Sequence, residues 1–150
     1  MRIGFIGSTQ GLFSAQSESI GKILQRYSRD VLWTDAFIFN HGGNRGGDES
    51  FHNMLFYTEF RECRINVRLH EDGSYNSNDI RSYNEKLFKY MYSSREERDL
   101  AIITESRVII VCPATASENK EHRTWKAVKI AKKVGRRVYL ILPTGTCRES

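Results

Sequence analysis

The sequence predicts an α/β domain with a mainly parallel sheet between helical layers, on three observations. Apolar runs of strand length alternate with amphipathic stretches of helix length along the chain. The run Val108-Ile109-Ile110-Val111 is apolar without alternation, as a strand buried on both faces would be. The 150 residues suffice for one domain with a sizeable core and are few for two.

Arg2–Gly7 is a short β-rich run ending in glycine. Ile20, Ile23, Leu24 and Tyr27 then fall at helical spacing, with Ser14 or Ser17 placed to cap that helix. Ala36–Asn40 reads as the second strand and runs into His41-Gly42-Gly43-Asn44-Arg45-Gly46-Gly47-Asp48. Asp48 is the expected N-cap of a helix that puts Phe51, Met54, Leu55 and Thr58 on one face. Ile65–His70 alternates with period two, as a half-exposed strand does, and polar Glu71–Asp79 reads as a loop.

Ile80, Tyr83, Leu87 and Met91 recur at helical intervals and predict a further helix. Ser94, three residues before Glu97, matches a capping box opening a helix over roughly Arg95–Glu105. Arg107–Cys112 is the most continuous apolar strand, stopped by Pro113. After polar Ala114–Glu121, Trp125, Val128, Ala131 and Val134 take helical steps, Gly135 ends the helix, and Arg137–Leu142 is the last strand. The expected product is a three-layer α/β/α domain over residues 1–145 with about five strands, followed by a loose tail at 146–150.

Composition narrows the functional classes. A hydrophobic fraction of 39% and a charged fraction of 27% fit a folded domain rather than a disordered chain. No apolar stretch approaches the roughly 20 residues that cross a bilayer, so no membrane partner is expected. Ser8, Thr9 and Gln10 cut the first apolar run too short for a secretory signal, which leaves it as a strand. Cys63, Cys112 and Cys147 are widely spaced and odd in number, which suggests free thiols in a reducing compartment, with the cytoplasm as default. The formal charge of +5 favours anionic partners in general.

In open α/β sheets, ligands bind beyond the carboxyl ends of the strands, where strand order reverses. That rule gathers Gly7-Ser8-Thr9, His41-Gly42-Gly43, Cys112–Thr115 and Pro143–Gly145 along one edge. The glycine segment is the sharpest feature: Gly42, Gly43, Gly46 and Gly47 admit close approach of a ligand to the main chain. Their amides beside a helix start suit phosphate, and Arg45 could add a charge-assisted contact. Equally, the segment could be a tight strand-to-helix turn with a solvated arginine. Thr124 at a helix start could hold an anion or serve as a plain N-cap, while Trp125 reads as core packing more than as a base platform.

Arg95 and Arg98 near a helix start oppose the helix dipole unless offset, either by Glu96, Glu97 and Asp99 or by a bound anion. His41, Asp48 and Glu49 are the candidate acid–base groups. His41, Asp48 and His52 follow no standard zinc spacing, so no metal is expected. Cys112 reads as a small buried hydrophobe more than as a nucleophile. The glycine segment is neither the dinucleotide fingerprint nor a P-loop.

Placed in this order, Gly7-Ser8-Thr9, Gly42-Gly43-Asn44-Arg45-Gly46-Gly47-Asp48, Arg95–Asp99 and Thr124-Trp125 through Gly135 resemble the SLOG superfamily over roughly residues 2–145. That Rossmann-like group of nucleotide sensors includes the Lonely Guy phosphoribohydrolases, the lysine decarboxylase-like proteins and the DNA-processing protein A domain. The resemblance implies a nucleotide or nucleotide-derived ligand held by Gly7, Ser8, Thr9, Gly42, Gly43, Arg45, Gly46, Asp48, Arg95, Arg98, Thr115 and Thr124, and no separate cofactor. Phosphoribohydrolase relatives carry a PGGxGTxxE motif; here both glycines before Thr124 and the glutamate after it are absent, with Lys126 and Ala127 in that stretch.

The leading expectation is therefore a sensor or sequestering protein. The alternative is an N-glycosidic hydrolase using Asp48 or Glu49. A nucleic-acid module resting on Lys132-Lys133 and Arg136-Arg137 is less favoured, because cations suit a helix C-terminus anyway. Large apolar residues such as Phe56, Tyr57, Phe60 and Tyr92 suit either a homodimer interface or the core.

Overall fold

The computed structural model describes residues 1–30, 36–71 and 86–150. Its elements are β1 (Arg2–Gly7), α1 (Ser14–Asp30), β2 (Ile38–His41), α2 (Gly47–Phe56), a 3₁₀ turn (Glu59–Glu62), β3 (Arg64–His70), β4 (Leu87–Tyr92), α3 (Arg95–Glu105), β5 (Val108–Cys112), α4 (Arg123–Lys133), β6 (Arg137–Ile141) and β7 (Cys147–Glu149). They build a three-layer α/β/α domain of the Rossmann-like kind, on one sheet of seven strands in the order β4-β3-β2-β1-β5-β6-β7. All neighbours are parallel except β6 and β7. Among the described residues, no helix is long and apolar enough to cross a membrane.

Alternation along the strands sorts the core into two halves. Ile3, Phe5, Phe39, Val67 and Ile110 share one cluster with Ile20, Ile23 and Leu24 of α1 and Phe51 and Leu55 of α2. Ile6, Ile109, Val111, Val138 and Leu140 share the other with α3 and α4. On the first face Phe5 and Phe51 stack with centroids 4.3 Å apart, the offset geometry aromatic pairs prefer. A polar clasp crosses this packing. Gln16 is fully buried, and its amide donates to the carbonyls of Pro113 and Ile141, both at 2.9 Å, while its oxygen accepts from Phe13 N. Phe60, one of the aromatics offered to an interface by the sequence, is in the core, whereas Tyr57 is 81% exposed.

Two strands exceed the expected number. Leu87 and Met91 lie in β4, not in a helix, paired in parallel with β3 from Ile65↔Leu87 to His70↔Tyr92. Residues four apart share a face in a strand as well as in a helix, so that spacing was ambiguous. Aromatic Phe88, Tyr90 and Tyr92 then favour the strand. Ile80 and Tyr83, the rest of that predicted helix, lie outside the described residues. At the other edge, Cys147–Glu149 is not a loose end but pairs antiparallel with β6, Ile141 opposite Cys147 and Tyr139 opposite Glu149. Its three residues are all exposed, so it carries no apolar signature. The second strand is displaced from Ala36–Asn40 to Ile38–His41, which brings His41 into the sheet.

Candidate functional site at the carboxyl edge

Strand order reverses at β1, which has β2 on one side and β5 on the other. Beyond its carboxyl end the sheet opens into a cleft of about 460 Å³ between the β1 loop and the first turns of α3 and α4. Ser8 and Thr9 form one wall, Arg95, Glu96 and Asp99 a second, and Arg123, Thr124, Lys126, Ala127 and Ile130 a third. This is the switch-point location at which open α/β sheets bind ligands.

Beneath the cleft lies a buried ionic network. Arg98 is fully buried; its Nε and Nη2 donate to Asp99 Oδ1 at 3.1 and 3.0 Å, and its Nη1 donates to Asn44 Oδ1 at 2.7 Å. Arg123 donates to both oxygens of Asp99 at 3.0 and 3.3 Å, and its Nη2 donates to the Gly7 carbonyl. Asp99 therefore bridges two guanidiniums and ties α3 to α4 and to the end of β1. Each charge is met by fixed donors and acceptors, as charge at this depth requires. The dipole problem raised by Arg98 is answered from inside: the side chain turns into the protein and Asp99 neutralises it.

The glycine segment serves the same network. Asp48 is not the N-cap of α2; that position is Gly46, which makes no side-chain cap, and Asp48 lies one residue inside the helix. Its buried carboxylate accepts from Gly7 N at 3.1 Å and from Asn44 N at 3.2 Å, binding the β1 end to the turn after β2. Burial pushes the Asp48 carboxyl above its ordinary value, against the opposing pull of Arg123, Arg98 and the Gly7 amide. Other amides of the segment are also spent internally: Gly43 N donates to His41 Nδ1 and Gly47 N to the Ser8 carbonyl. Gly46 has φ +89°, and a Cβ there would stand 2.3 Å from the Thr9 carbonyl oxygen. Two loops touch backbone to backbone at that point, the close approach that calls for glycine.

His41 is fully buried, with Nε2 2.9 Å from His52 Nδ1. The Gly43 amide donates into Nδ1, so the neutral ring keeps its proton on Nε2 and donates it to His52. Burial first, then His52 and Arg98, hold His41 well below its ordinary value of 6.5. The sign follows directly. Below pH 6.5 the unfolded chain takes up a proton that folded His41 refuses, so stability is lost as pH falls from 6.5 towards the depressed folded value. Asp48 acts oppositely, since its raised folded value lets the native state gain as pH falls through it. Urea midpoints read from pH 7.5 downwards should fall once pH drops below 6.5, and His41→Gln should flatten that fall.

The structure brings together Ser8, Thr9, Arg95 and Thr124 of the expected ligand residues. Gly42, Gly43 and Asp48 are buried behind them, and Arg45 points to solvent. Thr115 accepts from Trp125 Nε1 at 3.1 Å outside the cleft lining, and Trp125 is 7% exposed, a packing residue. Thr124 is not a cap; it is the second residue of α4, whose N-cap His122 makes no side-chain hydrogen bond. Glu49 is partly buried beside the glycine turn. Burial raises the Cys112 thiol well above its ordinary value, as an inert core cysteine requires. Among the described residues no group of three His, Cys, Asp or Glu is placed to hold a metal ion.

Sequence reasoning missed Arg123, Lys126 and Asn44, and it offered Asp99 as an offset to Arg98 without the bridge to Arg123. For Arg123 a signal existed: an arginine opening a helix whose first turn holds no acid needs a carboxylate from elsewhere. Comparison with family models, curated proteins and solved structures finds no match in any of the three.

Proposed function

We propose that the chain binds a nucleotide or nucleotide-derived small molecule in the carboxyl-edge cleft, as a sensor or sequestering protein. The observation that carries this reading is Thr124. The residue is 4% exposed and lines the cleft as the second residue of α4. A hydroxyl lining a cleft at an α-helix start without a side-chain cap suits an anionic group, which the free amides and dipole of the first turn also favour. Arg123 and Lys126 put positive charge on that wall beside Glu121, Arg95 lies on the neighbouring wall with Glu96 and Asp99, and Ala127 and Ile130 add apolar surface. The volume of about 460 Å³ lies in the range of small-molecule sites.

The proposed kinship with the SLOG superfamily draws support from placement. Gly7–Thr9 follows β1, Gly42–Asp48 joins β2 to α2, Arg98 lies on α3, and Thr124 opens α4. Cleavage of an N-glycosidic bond would need a carboxylate free to stabilise the sugar cation or activate water. Asp48 is enclosed by backbone amides and Asp99 by two arginines. Glu96 and Glu121 also line the cleft and stay open to it; binding is the reading put forward, and a released nucleotide recovered intact would set cleavage aside.

Native mass spectrometry of freshly purified protein, followed by denaturing release, tests it: a stoichiometric nucleotide is the expected result. An empty protein with no thermal shift across a nucleotide panel overturns it. Thr124→Val should weaken the retained ligand about tenfold, or about 1.4 kcal/mol. Valine keeps the size and branching of threonine at this cleft-lining position, so the unfolding midpoint of the free protein should stay near wild type.

A further inference from the structure

The outer faces of α3 and α4 carry unpartnered features that complement each other. Leu100 on α3 is 46% exposed, and Ile130 and Val134, one turn apart on α4, are 38% and 42% exposed. Around Leu100 the helical neighbours are acidic: Glu96 and Glu97 precede it by four and three residues. Around Ile130 they are basic: Lys126 precedes it by four and Lys133 follows by three. None of Glu96, Glu97, Lys126 or Lys133 is in an ion pair among the described residues.

One face is thus an aliphatic centre ringed by acid and its neighbour an aliphatic centre ringed by base. We propose that this surface is the interface of a twofold homodimer, with α3 of each copy against α4 of the other. A twofold operation makes any contact between two different patches occur twice, so one acidic and one basic helix on the same chain satisfy both contacts. Leu100 then packs on Ile130 and Val134 of the second copy, and the glutamates meet lysines.

The rival surface is the β4 edge, where Phe88 and Tyr90 are also exposed. There Arg64 stands 4.2 Å over the Phe88 ring, and Arg68, 4.8 Å over Tyr90, is buried and already paired with Glu105, so the described β4 edge shows no pair of oppositely charged patches of the kind α3 and α4 carry. Charge favours the helical face. Glu96, Lys126 and Ile130 border the cleft as well as this face, so a second copy seated here stands at the cleft mouth, and the oligomeric state is read with no ligand added.

Charge exchange tests it by sedimentation equilibrium of the full chain over a concentration series. Wild type should approach twice the 17.4 kDa chain mass. Glu96→Lys/Glu97→Lys makes both helices basic, and Lys126→Glu/Lys133→Glu makes both acidic. Each variant alone should stay monomeric, and an equimolar mixture should recover the dimer, which also shows that both variants fold. A wild type that is monomeric throughout overturns the proposal. So do variants that self-associate like wild type, or a mixture that remains monomeric.

Discussion

Arg98→Met should lower the stability of the domain by about 3–5 kcal/mol, the range for breaking a buried ion pair from one side. Methionine retains much of the arginine's length but none of its donors. Asp99 would keep Arg123 alone, the Asn44 carbonyl oxygen would lose the 2.7 Å donor it has now, and two buried carboxylates would face one guanidinium. Urea unfolding at pH 7 measures the loss. A second readout separates electrostatics from packing. Arg98 is one of the groups holding the Asp48 carboxyl down, so its removal lets Asp48 rise further. The deficit of the variant should then narrow as pH falls and Asp48 takes up a proton. A deficit equal at every pH would assign the loss to packing, and a wild-type midpoint would remove the network from the stability account.

Gly46→Ala should be of similar size, for a different reason. At φ +89° and ψ −122° Gly46 lies outside the left-handed helical well, in backbone that side-chain-bearing residues rarely adopt, which costs an alanine about 1–3 kcal/mol. The methyl would also press on the Thr9 carbonyl oxygen at 2.3 Å, main chain that cannot rotate away. Adding an overpacking cost of about 1–3 kcal/mol puts the total near 3 kcal/mol. Gly135 is the control: its φ is +73°, with nothing within 4 Å of a built Cβ. Gly135→Ala should show a positive-φ cost with no steric contact, about 1 kcal/mol. Equal losses at the two positions would mean that the approach of the β1 loop to the glycine turn is looser than described.

The layers of this fold were legible because burial leaves a strong trace in apolar periodicity. Val108–Val111 could be a two-sided strand before any coordinate, and the Ser94–Glu97 capping box marks a helix start that the structure keeps, with Glu97 N donating to Ser94 Oγ at 3.1 Å. Edge strands leave a weaker trace. β4 is exposed at four consecutive residues, Phe88 to Met91, and β7 at all three, so Leu87 and Met91 could be read with either period and Cys147–Glu149 with none. For the site, position in the chain predicted the edge for Ser8 and Thr124, and Arg95 was joined to them only by the resemblance. It could not predict that the glycine amides turn inward to His41, Asp48 and Ser8, since amide direction depends on the neighbouring loop. Asp48 has the residue type of a cap, and only the nearness of Gly7, distant in sequence, converts it into a brace.

The clasp made by Gln16 has a consequence for how the chain must be made. Its two carbonyl partners stand 97 and 125 residues downstream, and β1 has β5 as one of its two lateral neighbours. On a ribosome, β1, β2 and β3 emerge first and can assemble a half-sheet whose β1 flank is bare, an apolar edge of the kind that recruits other chains. That flank stays open until Val108–Cys112 has left the exit tunnel, and the first helix is not clasped until Ile141 follows. The stretch between those moments is when a nascent chain of this topology needs shelter, and a messenger truncated before the last parallel strand would encode a product that keeps half of that clasp open.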